Sequence, residues 1–179
     1  MSKKTIATLT WFVPLIPFAL AAAIYLGEFQ SSSFLFINRL TQLLPDIVWA
    51  WLTFLGNGWG VFALAFPLLL LAPRLLTAGI FAGAISAIAS IVLKSLFNLP
   101  RPAGLLDHGS FYRIGEPLLH KAFPSGHTLT AFAIASAMYF VCARGKRNHL
   151  WVLFMVAALV GLSRNAVGAH WLTDVLAGA

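Results

Sequence analysis

Residues 75–93 form a run of 19 residues without a charged side chain, long enough as a helix to enter a bilayer. Further apolar runs cover residues 6–26, 47–72, 128–142 and 150–162, and a last helical start follows at His170. At about 20 residues per membrane-crossing helix, such runs leave little chain for a separate soluble domain. Composition agrees: the 179 residues are 60% hydrophobic and only 9% charged, whereas soluble domains carry about 25% charged residues. The expected fold is all-α: a polytopic membrane helical bundle of five spans plus the start of a sixth, in one membrane-embedded domain over residues 1–179.

The first run follows Lys3 and Lys4 and contains Pro14 and Pro17, which are expected to kink it. Its small residues 19–23 also suit a signal-peptide cleavage region, but the run continues through Ile24, Tyr25 and Leu26, which favours a retained span. Between Gly27 and Pro45 apolar residues alternate with Asn38, Arg39 and Gln42, the pattern of an interfacial amphipathic helix. Gly56-Asn57-Gly58 breaks the next run. Residues 75–93 are rich in Ala, Gly and Ser, which let membrane helices pack closely, and end at Lys94. The long polar stretch from there to His127 is the length of a functional loop. Thr128 to Cys142, with Ser125 and Gly126 as a first turn, can nearly cross the hydrocarbon; a short segment 163–169 follows the span ending at Leu162. Only ten residues remain from His170 to Ala179, so the last helix is expected to lack its C-terminal part.

The 12 Lys and Arg against 5 Asp and Glu give a net charge of +7. In a soluble protein this would suggest nucleic acid, but the chain has too little polar surface to gather a basic face, and no nucleic acid is expected. With a cytoplasmic N-terminus, alternating spans put Lys3, Lys4, Arg74, Arg144, Lys146 and Arg147 inside, and Arg39, Lys94, Arg101, Arg113, Lys121 and Arg164 outside. This tie gives the positive-inside rule little force unless the outer cations have another task. The lone Cys142 excludes an intramolecular disulfide and any Cys-based metal site.

Three clusters fall on the same expected side. Lys94 stands at a helix end, seven residues before Arg101-Pro102; by itself the pair also suits snorkelling at an interface. Pro124-Ser125-Gly126-His127 opens an apolar helix, where backbone N–H groups, a hydroxyl and the helix dipole favour an anion; plain capping by Ser125 explains the serine but not His127. Ser163-Arg164 precedes His170, and His170 to Asp174 is the i, i+4 spacing that stacks two side chains on one helical face. A carboxylate there accepts Nδ1–H and frees Nε2 as a nucleophile. A structural His–Asp pair would show the same spacing. Together the clusters describe a phosphate pocket: Lys94, Arg101 and Arg164 donate to non-bridging oxygens, Ser125 and Gly126 complete the cradle, His170 is the nucleophile and His127 the acid.

Lys-x6-Arg-Pro, Pro-Ser-Gly-His and Ser-Arg-x5-His-x3-Asp, in this order, resemble the three signatures of the type 2 phosphatidic acid phosphatase superfamily. The likeness runs from Lys94 to Asp174, 81 of 179 residues, with every defining position present. It implies a six-helix membrane phosphatase with an extracytoplasmic site, in a bacterial inner membrane facing the periplasm. It also implies a phosphohistidine intermediate formed with no metal and no cofactor, and partners that are phosphorylated lipids (phosphatidate, phosphatidylglycerol phosphate, polyprenyl diphosphate or lipid A) and membrane lipids. The oligomeric state and the particular lipid are not specified by these residues.

Three other readings use the same residues. His127, His170 and Asp174 could form a metal-binding set, although three converging cations repel a divalent ion. Phosphotransfer to a lipid or sugar acceptor would use the same intermediate. A transporter would have charges at mid-depth, whereas these gather at one face. In soluble relatives the pocket binds vanadate for haloperoxidase chemistry, a use that a membrane-spanning chain disfavours.

Overall fold

A computed structural model describes residues 15–58, 60–61, 67–107, 109–143 and 149–179. The start of the first apolar run with Pro14, the cations Lys3, Lys4, Arg144, Lys146 and Arg147, and residues 62–66 of the second run lie outside the described residues. The described residues are helical, without strands. In chain order the helices are α1 (Leu15–Leu26), α2 (Gln30–Thr41), α3 (Asp46–Leu55), α4 (Leu68–Leu71), α5 (Pro73–Phe97), α6 (Pro102–Leu105), α7 (Gly126–Val141), α8 (Trp151–Ala166) and α9 (Leu172–Gly178).

The longest, α5, begins on Pro73, whose missing N–H costs nothing in a first turn. It runs past Lys94 to Phe97, where Asn98 turns left-handed (φ 40°) and returns its N–H to the Lys94 carbonyl. Lys94 therefore stands in the last helical turn, at the helix end expected for it. The span from Pro73 to Leu105 meets the length and hydropathy of a membrane-crossing helix, yet only 11% of its most apolar window is buried. Ile80, Phe81, Ile85, Ile88, Ile91 and Val92 all face outward. α1 and α2 meet the same test only as a pair bent by 115°. α7 and α8, of 16 residues each, rise about 24 Å at 1.5 Å per residue, short of a hydrocarbon core of about 30 Å. By length and composition, then, one helix among the described residues qualifies alone, fewer than the five spans expected.

α7 is the hub: it packs against α5, α8 and α9, while α8 also meets α2 and α3, and α9 meets α1. Small residues make the α5–α7 seam. The Ser86 hydroxyl donates to Thr130 (3.1 Å), and Gly79 and Gly83 lie against Ile134. The close packing expected from the Ala, Gly and Ser of this run is present.

The mixed segment forms α2, with Phe34, Asn38 and Thr41 on one buried face. Asn38, fully buried, donates its amide to the carbonyls of Tyr112 (3.0 Å), Asn165 (3.0 Å) and Ala166 (3.2 Å), and accepts the Tyr112 N–H at 2.8 Å. One side chain thus closes the C-terminal end of α8 and straps the long loop to it. Phe34 meets Phe111 and Trp171 edge-on at 5.2 and 5.3 Å. Replacing Asn38 with alanine strands these groups, and the expected destabilisation is about 2–4 kcal/mol, read as a lower unfolding midpoint in detergent.

Candidate active site

The turn between α8 and α9 carries the third cluster. α8 extends one turn beyond Leu162, so Ser163 and Arg164 are helical rather than part of a connecting segment. Arg164 lies in the last turn, where its charge complements the carbonyl end of the helix. His170 is not on a helix with Asp174, contrary to the stacking expected from the spacing. It precedes α9, whose N-cap is Trp171, and Asp174 occupies the first turn. The pair meets nevertheless, because Asp174 Oδ2 accepts the Trp171 N–H (2.9 Å) and lies 3.3 Å from His170 Nδ1. Turn and helix start are thus bound together by one carboxylate oxygen.

Arg101 fixes the imidazole tautomer. Its Nη1 lies 3.3 Å from His170 Nε2; a guanidinium only donates, so Nε2 is the acceptor and the ring proton is on Nδ1, facing Asp174. The same Nη1 donates to the Ala169 carbonyl (3.0 Å), Nε to the His120 carbonyl (2.8 Å) and Nη2 to the Lys121 carbonyl (3.3 Å). The Arg101 backbone N–H reaches Leu119 O (2.8 Å), and Ala122 N–H reaches Leu99 O (2.9 Å), so segments 99–101 and 119–122 brace each other. Trp171 Nε1 ties the turn to Pro100 O (2.9 Å). Burial, with the charges of Arg101, Arg164 and Lys94, holds the His170 imidazole well below its ordinary 6.5.

Ser125 is the N-cap of α7 but makes no side-chain capping bond, which removes the simple capping explanation. Its Oγ accepts from Thr128 Oγ1 (2.9 Å), and its N–H donates to the Asp174 carbonyl (3.0 Å), joining the second cluster to the third. Gly126 is a true close approach: a β-carbon there would fall 2.8 Å from Ser90 Oγ and 3.5 Å from Lys94 Nζ. Lys94 therefore reaches the start of α7, within electrostatic range of Arg101, Arg164 and Asp174. His127 is within range of Arg164, Lys94 and Arg101. All eight expected site residues, Lys94, Arg101, Ser125, Gly126, His127, Arg164, His170 and Asp174, gather at one end of the bundle.

Arg164 is 8% exposed; its Nη1 donates to Thr53 Oγ1 (3.3 Å), and its Nε is buried with no hydrogen-bond partner. Among the described residues no three His, Cys, Asp or Glu side chains are grouped to hold a metal ion, His127, His170 and Asp174 included. Thr53, Asn38 and Trp171 are the residues that sequence reasoning missed. Farther out, Tyr112 Oη donates to Asp46 (2.7 Å), which raises the phenol above its ordinary 10.0. Arg113 lines a separate shallow depression with Gly109, Phe111 and Gly115.

This arrangement can bind a tetrahedral oxyanion against one neutral imidazole lone pair, with a second imidazole within range of the same cations. Comparison with known proteins accords with it. The crystal structure of Aquifex aeolicus LpxE superposes with a TM-score of 0.73 at 32% identity, covering 84% of this chain and 88% of that one. The lipid A 1-phosphatase of Rhizobium etli is 32% identical over 96 residues, 52% of this chain and 39% of its own length. The undecaprenyl-diphosphatase BcrC of Bacillus subtilis is 36% identical over 101 residues, 54% of this chain and 48% of its own. The chain spans less than half the length of each of these two curated relatives. The PAP2 superfamily pattern matches residues 75–179, more than half of the sequence and all three clusters, and the chain belongs to that superfamily.

Proposed function

We propose that this protein is an integral-membrane lipid phosphatase that works through a phosphohistidine. The observation that carries the reading is the pairing around His170: Nδ1 toward Asp174, Nε2 toward the cationic cluster, and beside them Arg164 Nε, a buried donor without a partner. Lys94, Arg101 and Arg164 take the non-bridging oxygens, with Ser125 and Gly126 at the α7 start. His170 Nε2 attacks phosphorus in line. As the N–P bond forms, the P–O bond to the lipid breaks and the leaving alkoxide takes a proton from His127. Neutral His127 then accepts a proton from water as its oxygen attacks phosphorus, the N–P bond breaks, inorganic phosphate leaves and His170 is regenerated.

Five spans and the start of a sixth, the outward apolar side chains of α5 in lipid, and a site facing the periplasm of a bacterial inner membrane complete the proposal. A lipid substrate suits a site at the end of such a bundle, since its chains can stay in the bilayer while its headgroup reaches the cations. The relatives named for lipid A and undecaprenyl diphosphate support that class of substrate. The test is phosphate release from a panel of phosphatidate, phosphatidylglycerol phosphate, lipid A, and polyprenyl mono- and diphosphates in detergent, with and without chelator. Release from at least one lipid that survives chelation is expected. No release from any, or release abolished by chelator and restored by added metal, would overturn the proposal.

A further inference from the structure

The apolar helix α3 carries none of the three motifs, yet one of its faces reaches two site residues. Thr53 meets Arg164, and Gly56, the C-cap three residues on, lies against His127; the cap keeps right-handed helical geometry, so it continues the face on which Thr53 stands. The hydrogen-bond directions around Thr53 are fixed. Ser163 Oγ donates to the Val160 carbonyl at 2.7 Å, so in its 2.9 Å contact with Thr53 it accepts. The Thr53 hydroxyl proton is thereby committed to Ser163, and its lone pairs are left for Arg164 Nη1 at 3.3 Å. The chain of donors, Arg164 to Thr53 to Ser163 to Val160 O, holds one edge of the guanidinium and leaves Nε uncommitted. Gly56 is buried, and a β-carbon there would press on Val160 and come within 3.1 Å of Cβ and Cδ2 of His127. Its φ of −87° is open to any residue, so the constraint is space and not backbone conformation.

We infer that the Thr53–Gly56 face of α3 is a positioning surface for the phosphate site: Thr53 sets the presentation of Arg164, and Gly56 leaves the room in which His127 is placed. The inference rests on the phosphate-site reading above. It makes two separable demands, one on anion binding and one on protonation of the leaving group. An anion donor held in place by a neutral hydroxyl depends on the hydroxyl rather than on the size of the side chain. A general acid matters in proportion to how poor the leaving group is.

Thr53→Val keeps the shape and removes the acceptor, whereas Thr53→Ser keeps the acceptor. The expected result is that Val weakens inorganic phosphate binding and raises KM by about tenfold, with kcat little changed and with Ser close to wild type. Gly56→Ala is expected to slow phosphorylation of the enzyme, followed by rapid quench in a single turnover, by about 100-fold with an alkyl phosphate while leaving phosphorylation by an aryl phosphate, whose leaving group needs little protonation, within about threefold. Unfolding midpoints in detergent are measured for all three variants. Val and Ser binding phosphate equally, or Ala slowing phosphorylation by both substrates alike, overturns the inference even when the wild type is an active phosphatase. A wild type that releases phosphate from nothing overturns the phosphatase reading instead, and the phosphate affinities of the Thr53 pair still decide the role of α3.

Discussion

Replacing His170 with alanine is expected to lower phosphate release by at least about 10⁴-fold, the scale on which removal of a covalent nucleophile acts. The protein should stay folded, because the turn is held by Asp174 on the Trp171 N–H, by Trp171 on Pro100 O, and by Asn38 beneath it, none of which uses the imidazole. Labelled phosphate trapped on the wild-type chain by rapid quench should be absent from the variant. The wild-type pH profile carries the same claim. Nucleophilic attack needs the neutral ring, and burial with the surrounding cations depresses the folded pKa of His170 below 6.5. As pH falls the neutral form persists through 6.5, so the acidic limb of kcat/KM from this group is expected well below that value. Retained turnover in the alanine variant, or a His170 limb at or above 6.5, would refute the nucleophile assignment.

The residues of the proposed site are legible in the sequence because charge and imidazole are rare in so apolar a chain. Each of Lys94, Arg101, Arg164, His127 and His170 taken singly allows a bland reading, snorkelling or a structural pair, but their spacing and their common expected side do not. What spacing could not supply was the local path of the chain. His170 and Asp174 were expected on one helical face, yet the carboxylate itself starts the helix after His170, so contact arises from a capped turn. Helix ends differ from the ends of the apolar runs for related reasons. α8 runs past Leu162 to a C-terminal end closed by Asn38, and α5 runs past Lys94 until Asn98 turns left-handed and ends it.

Asn38, Thr53 and Gly56 were hidden because single uncharged residues in apolar helices give no signal of their own. The only trace of them was spacing: Phe34, Asn38 and Thr41 at i, i+4 and i+7 on α2, and Thr53 and Gly56 three apart on α3. These positions are also the ones where helices from the half of the chain without motifs touch the site. In the proposed mechanism the motifs supply the chemistry, and the first half of the bundle sets the aim of Arg164, His127 and the turn.

Asp174→Asn should move catalysis and binding in opposite directions. Asparagine has nearly the same shape, and its carbonyl oxygen can still accept the Trp171 N–H, so the start of α9 survives. The Asp174 backbone carbonyl, which receives the Ser125 N–H at 3.0 Å, is untouched. What disappears is the negative charge behind His170 Nδ1, which offsets the positive charge of the phosphohistidine, while Arg101 on Nε2 still holds the tautomer. The corresponding change in a serine-histidine-aspartate triad, where the wrong tautomer results, costs about 10⁴-fold in kcat; with the tautomer held here by Arg101, a smaller fall of about 10²–10³-fold is expected. The same charge is the one acid within electrostatic range of Lys94 and Arg101. Without it the cluster is more positive, and inorganic phosphate should bind several-fold more tightly while turnover collapses. Equal losses of binding and rate would mean that Asp174 acts only through the fold. Tighter product binding in an almost inactive, normally folded variant would show that its charge is placed for the histidine, at the expense of the anion.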